Sequence, residues 1–288
     1  MTHKRACALA VVTAVLSLLA SLGLPAPGLA GALADDPSPP ASPVRLVFIH
    51  HSTGGHWLAD PNGDRPYGGL GRALMTNNYY VSATNYGWGR DDIGDRTDIP
   101  NWPEWFNGPN SATILAALDR EGGQNFGEFG AWPRLATAPG GENQIVMFKS
   151  CFPNSDLYGN PDDPPLPEPN DQFTVANAKA VYNKLLTYFA TRQDKLFIVI
   201  TAPPLMQSET APERAANARA FNNWLLNHWL AGTPTITSRS STITTSSPPT
   251  AALAAWMTPA RPRNRTTPAG PTATITAGGT PRSNTCRR

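Results

Sequence analysis

The sequence predicts an α/β protein, a three-layer α/β/α sandwich built on a parallel sheet. Two patterns carry this expectation. Four short runs rich in Val, Ile, Phe and Tyr stand apart: VRLVFI (44–49), YYVSAT (79–84), QIVMF (144–148) and KLFIVIT (195–201). Between them lie segments with apolar residues at three- and four-residue steps, the helical period. Nearly continuous apolar strands alternating with helices imply a sheet buried on both faces, as parallel sheets are. Ligands of such sheets bind outside the carboxyl ends of the strands, so the residues just after each run are the ones to weigh.

Residues 1–34 stand outside the fold. Lys4 and Arg5 precede the apolar run ALAVVTAVLSLLASLGL, and the small-residue pattern Ala32-Leu33-Ala34 precedes Asp35. That order predicts a secretory signal peptide cleaved after Ala34, and hence a secreted protein with no membrane contact afterwards. A membrane anchor is the competing reading, but no basic stop-transfer cluster follows the run. DDPSPPASP, residues 35–43, reads as an extended linker, and residues 44–232 as the α/β domain.

Within the domain, GLGRALMTNN (69–78) predicts a helix after the first strand, and SATILAALDREGG (111–123) another before the third. VANAKAVYNKLLTYFATR (175–192) repeats Ala178, Val181, Tyr182, Leu185, Leu186 and Phe189 on one helical face. ERAANARAFNNWLLNHWL (213–230) does the same with Phe221, Trp224, Leu225, His228 and Trp229. Residues 86–110 and the proline-rich 152–172 read as long surface loops on the strand-end side, where lids and binding loops sit.

The tail, residues 233–288, is rich in Thr, Ser, Pro and Arg and lacks a coherent apolar period. At face value it is a disordered basic tail. A reading-frame error also accounts for it. In a shifted frame, residues 235–248 can be reread as HHHVAVFDYYNVLT, which resembles a missing fifth strand. In the same frame, residues 271–286 can be reread as TDGNHHRWWNAEVEHV. On this reading the last strand and helix are missing or garbled in the chain as written.

The net charge of +2 argues neither for nor against polyanions, but the lack of a Lys/Arg cluster interleaved with aromatics before residue 232 argues against a nucleic-acid partner. Three cysteines are too few for a disulfide scaffold. Cys7 leaves with the signal and Cys286 lies in the tail, so Cys151 is expected to be a lone thiol.

Polar signatures follow three strands: His50-His51-Ser52-Thr53-Gly54, Asn85-Tyr86-Gly87-Trp88-Gly89 and Lys149-Ser150-Cys151-Phe152-Pro153-Asn154-Ser155. An acyl-transfer site needs a nucleophile and several N–H donors converging on one developing oxyanion, and these segments hold such groups. Each residue also has a plainer reading. Ser52 suits a helix N-cap, Gly87 and Gly89 suit turns with positive φ, and Asn154 suits an Asx-turn. Cys151 in place of serine as nucleophile is a further alternative.

His50, His51 and His56, with Asp60 or Asp64, raise a zinc site. Adjacent strand residues face opposite ways, so one of the histidines is better read as ordering the loop around Ser52. The run Asp91, Asp92, Asp95, Asp98 lacks the glycine spacing of a calcium loop and reads as a solvated face. Trp88, Trp102 and Trp105 are candidates for a platform that stacks sugar rings, or for residues that pack their loop onto the domain.

Serine after strand one, Asn-x-Gly after strand two and asparagine after strand three resemble the SGNH (GDSL-like) hydrolase superfamily. The strings HHSTG, TNYGWG and FKSCFPNS also look like those of uncharacterised secreted bacterial members. The resemblance spans residues 44–232 and implies a flavodoxin-like sheet and ester hydrolysis without metal or organic cofactor. It implies Ser52 as nucleophile, with Gly87 and Asn154 completing the oxyanion hole. The substrate would be an acyl or acetyl ester on carbohydrate or lipid.

Two features depart from the pattern. His50-His51 stands where the family has Gly-Asp, and the C-terminal Asp-x-x-His block is absent, there being no histidine after His228. The general base is therefore missing as written, and the rival expectation is a non-catalytic carbohydrate-binding module on the same scaffold.

Overall fold

The computed structural model describes residues 38–61, 67–127 and 130–231, with the backbone of Ser238–Ser240. Residues 1–34, expected to be a signal peptide, and nearly all of the tail 233–288 lie outside the described residues.

The four apolar runs become β1 (Val44–Ile49), β2 (Tyr79–Ala83), β3 (Ile145–Lys149) and β4 (Leu196–Ile200), and a short β5 (Ser238–Ser240) pairs with β4. All pairings are parallel, in the order β2-β1-β3-β4-β5. From β1 the chain steps one way to β2, and from β3 onward it steps the other way. The crevice between the carboxyl ends of β1 and β3 is thus the topological switch point of the sheet.

Side-chain alternation divides the strands into two faces. Leu46 and Phe48 join Val81, Met147 and Ile198 beneath α1 (Thr53–Leu58) and α2 (Leu70–Thr76), which contribute Trp57, Leu58, Leu70 and Leu74. Val47 and Ile49 join Val146, Phe148 and Val199 on the other face. That face is covered by α3 (Trp102–Phe106), α4 (Ser111–Asp119), α5 (Val175–Phe189) and α6 (Pro212–Asn227). Helices on both faces of an open parallel sheet make this an α/β fold.

Two expectations need correction and one, the proline-rich surface loop, gains an anchor. The segment 86–110 is no plain loop: it contains α3, with Pro103 in its first turn, where a missing N–H costs nothing. The proline-rich stretch is pinned down, because Lys179 Nζ donates to the carbonyls of Pro161 (2.8 Å) and Asp163 (2.7 Å). Cys151 is not a lone thiol: it is disulfide-bonded, and its partner cysteine lies outside the described residues.

Candidate active site

β1 delivers Ser52 to the switch point in an unusual backbone state. Ser52 has φ 51° and ψ −123°, a conformation that side chains of L-residues seldom adopt. Such strain costs about 1–3 kcal/mol and persists only where the surroundings over-determine it. Ser52 occupies the N-cap position of α1, yet its side chain makes no capping bond, so the plain N-cap reading does not account for it. A sharp strand-to-helix turn of this kind is how α/β sheets push a serine hydroxyl out at the head of a strand. Gly54 makes the turn possible, since a Cβ there would lie 2.5 Å from His50 Cβ. Ser52 itself is 5 % exposed.

Gly87 and Asn154 follow β2 and β3, so all three residues stand at the carboxyl edge of adjacent strands. Gly87 has φ 69°, which fits the turn reading. Its N–H donates to the Asp95 carboxylate at 2.7 Å. The buried Asn154 amide donates to Asp98 and to the Cys151 carbonyl, and its Oδ1 accepts from Ile99 N at 2.6 Å. Both expected oxyanion donors are therefore engaged by the chain's own acceptors. Asp95 and Asp98 brace these loops; Asp91, Asp92 and Asp95 are exposed, as a solvated face requires, while Asp98 is half-buried.

The histidines part company as strand geometry predicts. His50 packs 4.8 Å from Phe48 between ring centroids, while His51 stacks on Tyr86 at 4.4 Å. His56 stacks on Tyr67 at 5.2 Å. Among the described residues, no group of three His, Cys, Asp or Glu is arranged to hold a metal ion.

A buried polar row appears where the ladders run out. β1 pairs Phe48 with Ala83 and Ile49 with Phe148, so the next steps of the same register set Asn85, His50 and Lys149 side by side. All three belong to the face beneath α1, and Lys149 Nζ lies 6.0 Å from the Trp57 ring centroid. Among the described residues, Asn85 Oδ1 and both ring nitrogens of His50 have no hydrogen-bond partner. Lys149 is fully buried, and its amine donates to the Ser150 carbonyl at a long 3.3 Å.

Burial dominates the electrostatics here. It holds the Lys149 amine down to about 7, with the Asp98 charge opposing in part. Burial, then the Lys149 charge, holds His51 down to about 3 and keeps His50 well below its ordinary range. Buried, incompletely paired titratable groups of this kind cluster at functional sites.

The tryptophans do not form an exposed platform. Trp102 and Trp105 are 0 % exposed within the larger core. Their indole N–H groups donate to Ser150 Oγ (2.8 Å) and the Arg96 carbonyl (2.7 Å). Half-buried Trp88 stacks on Trp105 at 5.6 Å and donates to Glu121. With their faces occupied by protein, Trp102 and Trp105 serve packing, and the platform reading is corrected for both.

A second recess lies at the amino edge, lined by Leu115, Asp119, Glu142, Tyr188 and Arg192. The ion pairs there, Lys195 with Asp119 at 2.8 Å and Arg192 with Glu142 at 2.6 Å, tie α4 to the starts of β3 and β4. They are a structural clasp away from the switch point.

No protein-family model, curated protein or solved structure matches this chain. Sequence reasoning named Lys149 without giving it a role. The available signal was its place in QIVMFK, one residue beyond the apolar run and on the inward phase of the alternation.

Proposed function

We propose that the chain is a secreted serine hydrolase of the SGNH type that cleaves an acyl or acetyl ester on a carbohydrate or lipid. The observation that carries this reading is the strained Ser52 turn at the switch point of a parallel sheet. Strand order supports the flavodoxin-like assignment, and the strand-end placement of Gly87 and Asn154 is what the resemblance implies for an oxyanion hole. In this reading Ser52 attacks the ester carbonyl. The oxyanion is held by the Ser52 and Gly87 N–H groups and the Asn154 amide, the last two exchanging Asp95 and Asp98 for it.

The test is labelling with a small fluorophosphonate, which reports an activated serine. Labelling that disappears in Ser52→Ala supports the hydrolase. A non-catalytic glycan-binding module draws support from the occupied donors at Gly87 and Asn154. It predicts no labelling together with retention on a polysaccharide column. Buried Trp102 and Trp105 offer it no stacking surface.

A further inference from the structure

We propose that Lys149 is the general base of this site, taking the Ser52 hydroxyl proton and returning it to the leaving alcohol. The proposal rests on the reading of Ser52 as nucleophile. It supplies within this chain the group that the absent Asp-x-x-His block would otherwise provide.

Placement makes the case. Lys149 ends β3 and is the lateral neighbour of His50, two residues before Ser52. Its side chain lies beneath α1, the helix that begins at the Ser52 turn, with Nζ 6.0 Å from the Trp57 ring. A lysine kept for structure is normally paired, because an unpaired buried charge is costly. Here the amine donates to one carbonyl at 3.3 Å and lies 6.0 Å from the Trp57 ring. The titratable groups that face it are His50 and His51 from the end of β1 and Asp98 from the β2–α3 segment. Both histidines stay neutral through the physiological range, so Lys149 is the member of the cluster that exchanges a proton near neutrality.

The reaction balances without a co-reactant other than water. The neutral amine takes the hydroxyl proton as Oγ bonds to the ester carbonyl carbon, and the carbonyl electron pair moves onto its oxygen. Collapse of this adduct breaks the ester C–O bond, and the departing alkoxide takes the proton from the ammonium. Water then attacks the acyl-serine with Lys149 as acceptor. The second collapse releases the acid and returns the proton to Ser52.

The experiment measures the fluorophosphonate labelling rate from pH 5 to 9 on the full chain as written, with near-UV circular dichroism as the folding control. The wild-type rate is expected to rise with a midpoint near 7, and Ser52→Ala to be silent. Lys149→Met, an apolar replacement suited to a buried site, is expected to label about 10²–10⁴-fold more slowly. Lys149→Arg, which keeps the charge but cannot deprotonate, should fall equally far. If Lys149→Met labels at the wild-type rate, or if His51→Asn alone loses labelling, Lys149 is not the base. Labelling confined to a frame-restored chain overturns Lys149 and spares Ser52, whereas silence in both chains overturns the nucleophile and the base together.

Discussion

At Ser52 the backbone and the side chain make separable demands. The φ of 51° suits glycine far better than serine, yet serine occupies the position. Strain kept at one residue points to a side chain that is needed there. Ser52→Gly should therefore raise stability by about 1 kcal/mol, the relief of strain less the entropy of glycine in the unfolded chain. It should also abolish labelling. Urea midpoints for the two proteins check the first outcome, and a loss of stability would show that Ser52 is held by contacts rather than by function. Lys149 is the complementary case. Unfolded, its amine titrates near 10.5, and folded near 7, so between these values the unfolded chain binds more protons. Stability must then rise with pH across that window and lie at its lower plateau below 7. Lys149→Met is expected to flatten this slope and to stabilise the protein at pH 6 by about 1–4 kcal/mol. His51 adds a second window: stability falls as pH drops from 6.5 toward 3, as the unfolded imidazole takes up the proton first. Urea melts at pH 4, 6, 8 and 10 would separate the two groups.

Among the elements, α1 does the most for the site with the least sequence signal. Its six residues, TGGHWL, contain two glycines and no helical apolar repeat, so periodicity gives no hint of a helix. Tertiary fit decides instead, because Gly54 lets the helix backbone rest on His50. Gly54→Ala should cost about 1–3 kcal/mol by overpacking and slow labelling by displacing Ser52. A neutral outcome in both readouts would mean the turn tolerates a shift. The four strands and the longer helices were legible because each is long enough to repeat its pattern, as Val175–Phe189 does. The strand-end positions of Ser52, Gly87 and Asn154 were legible for the same reason. What stayed hidden depends on lateral register, which one strand's sequence does not contain: the Asn85-His50-Lys149 row, and the carboxylates that hold Gly87 and Asn154. The aromatic segment misled because buried and exposed tryptophans look alike in a string. Trp102→Ala, removing a side chain packed against Phe148 at 4.8 Å, should destabilise by about 3–5 kcal/mol. A surface platform residue would cost almost nothing.

For the whole molecule, the weak point is the β4 side of the sheet. Phe197 and Val199 are buried on one face and Ile198 and Ile200 on the other, so β4 has the two-sided apolar character of an interior strand. Its outer neighbour is the polar three-residue β5, which pairs only Phe197–Val199 with Ser238–Ser240. Among the described residues an interior strand so thinly covered is the kind of edge that invites pairing with other chains. The shifted-frame rereading bears on this point, since it puts VAV at positions 238–240 and continues with FDYYNV. An apolar strand would then fall at the place where the sheet needs one. We expect the nucleotide sequence across codons 228–240 and past the stop to contain a single-position frame disruption. The frame-restored protein should melt more than about 5 °C above the present chain, given roughly 2–4 °C per kcal/mol in a domain of this size. It should also show less concentration-dependent self-association by sedimentation. An intact frame, or a restored chain no more stable than this one, would leave Ser238–Ser240 as the true edge of the sheet. In that event Lys149, at the end of β3, would stand as the base candidate on which the reading of Ser52 depends.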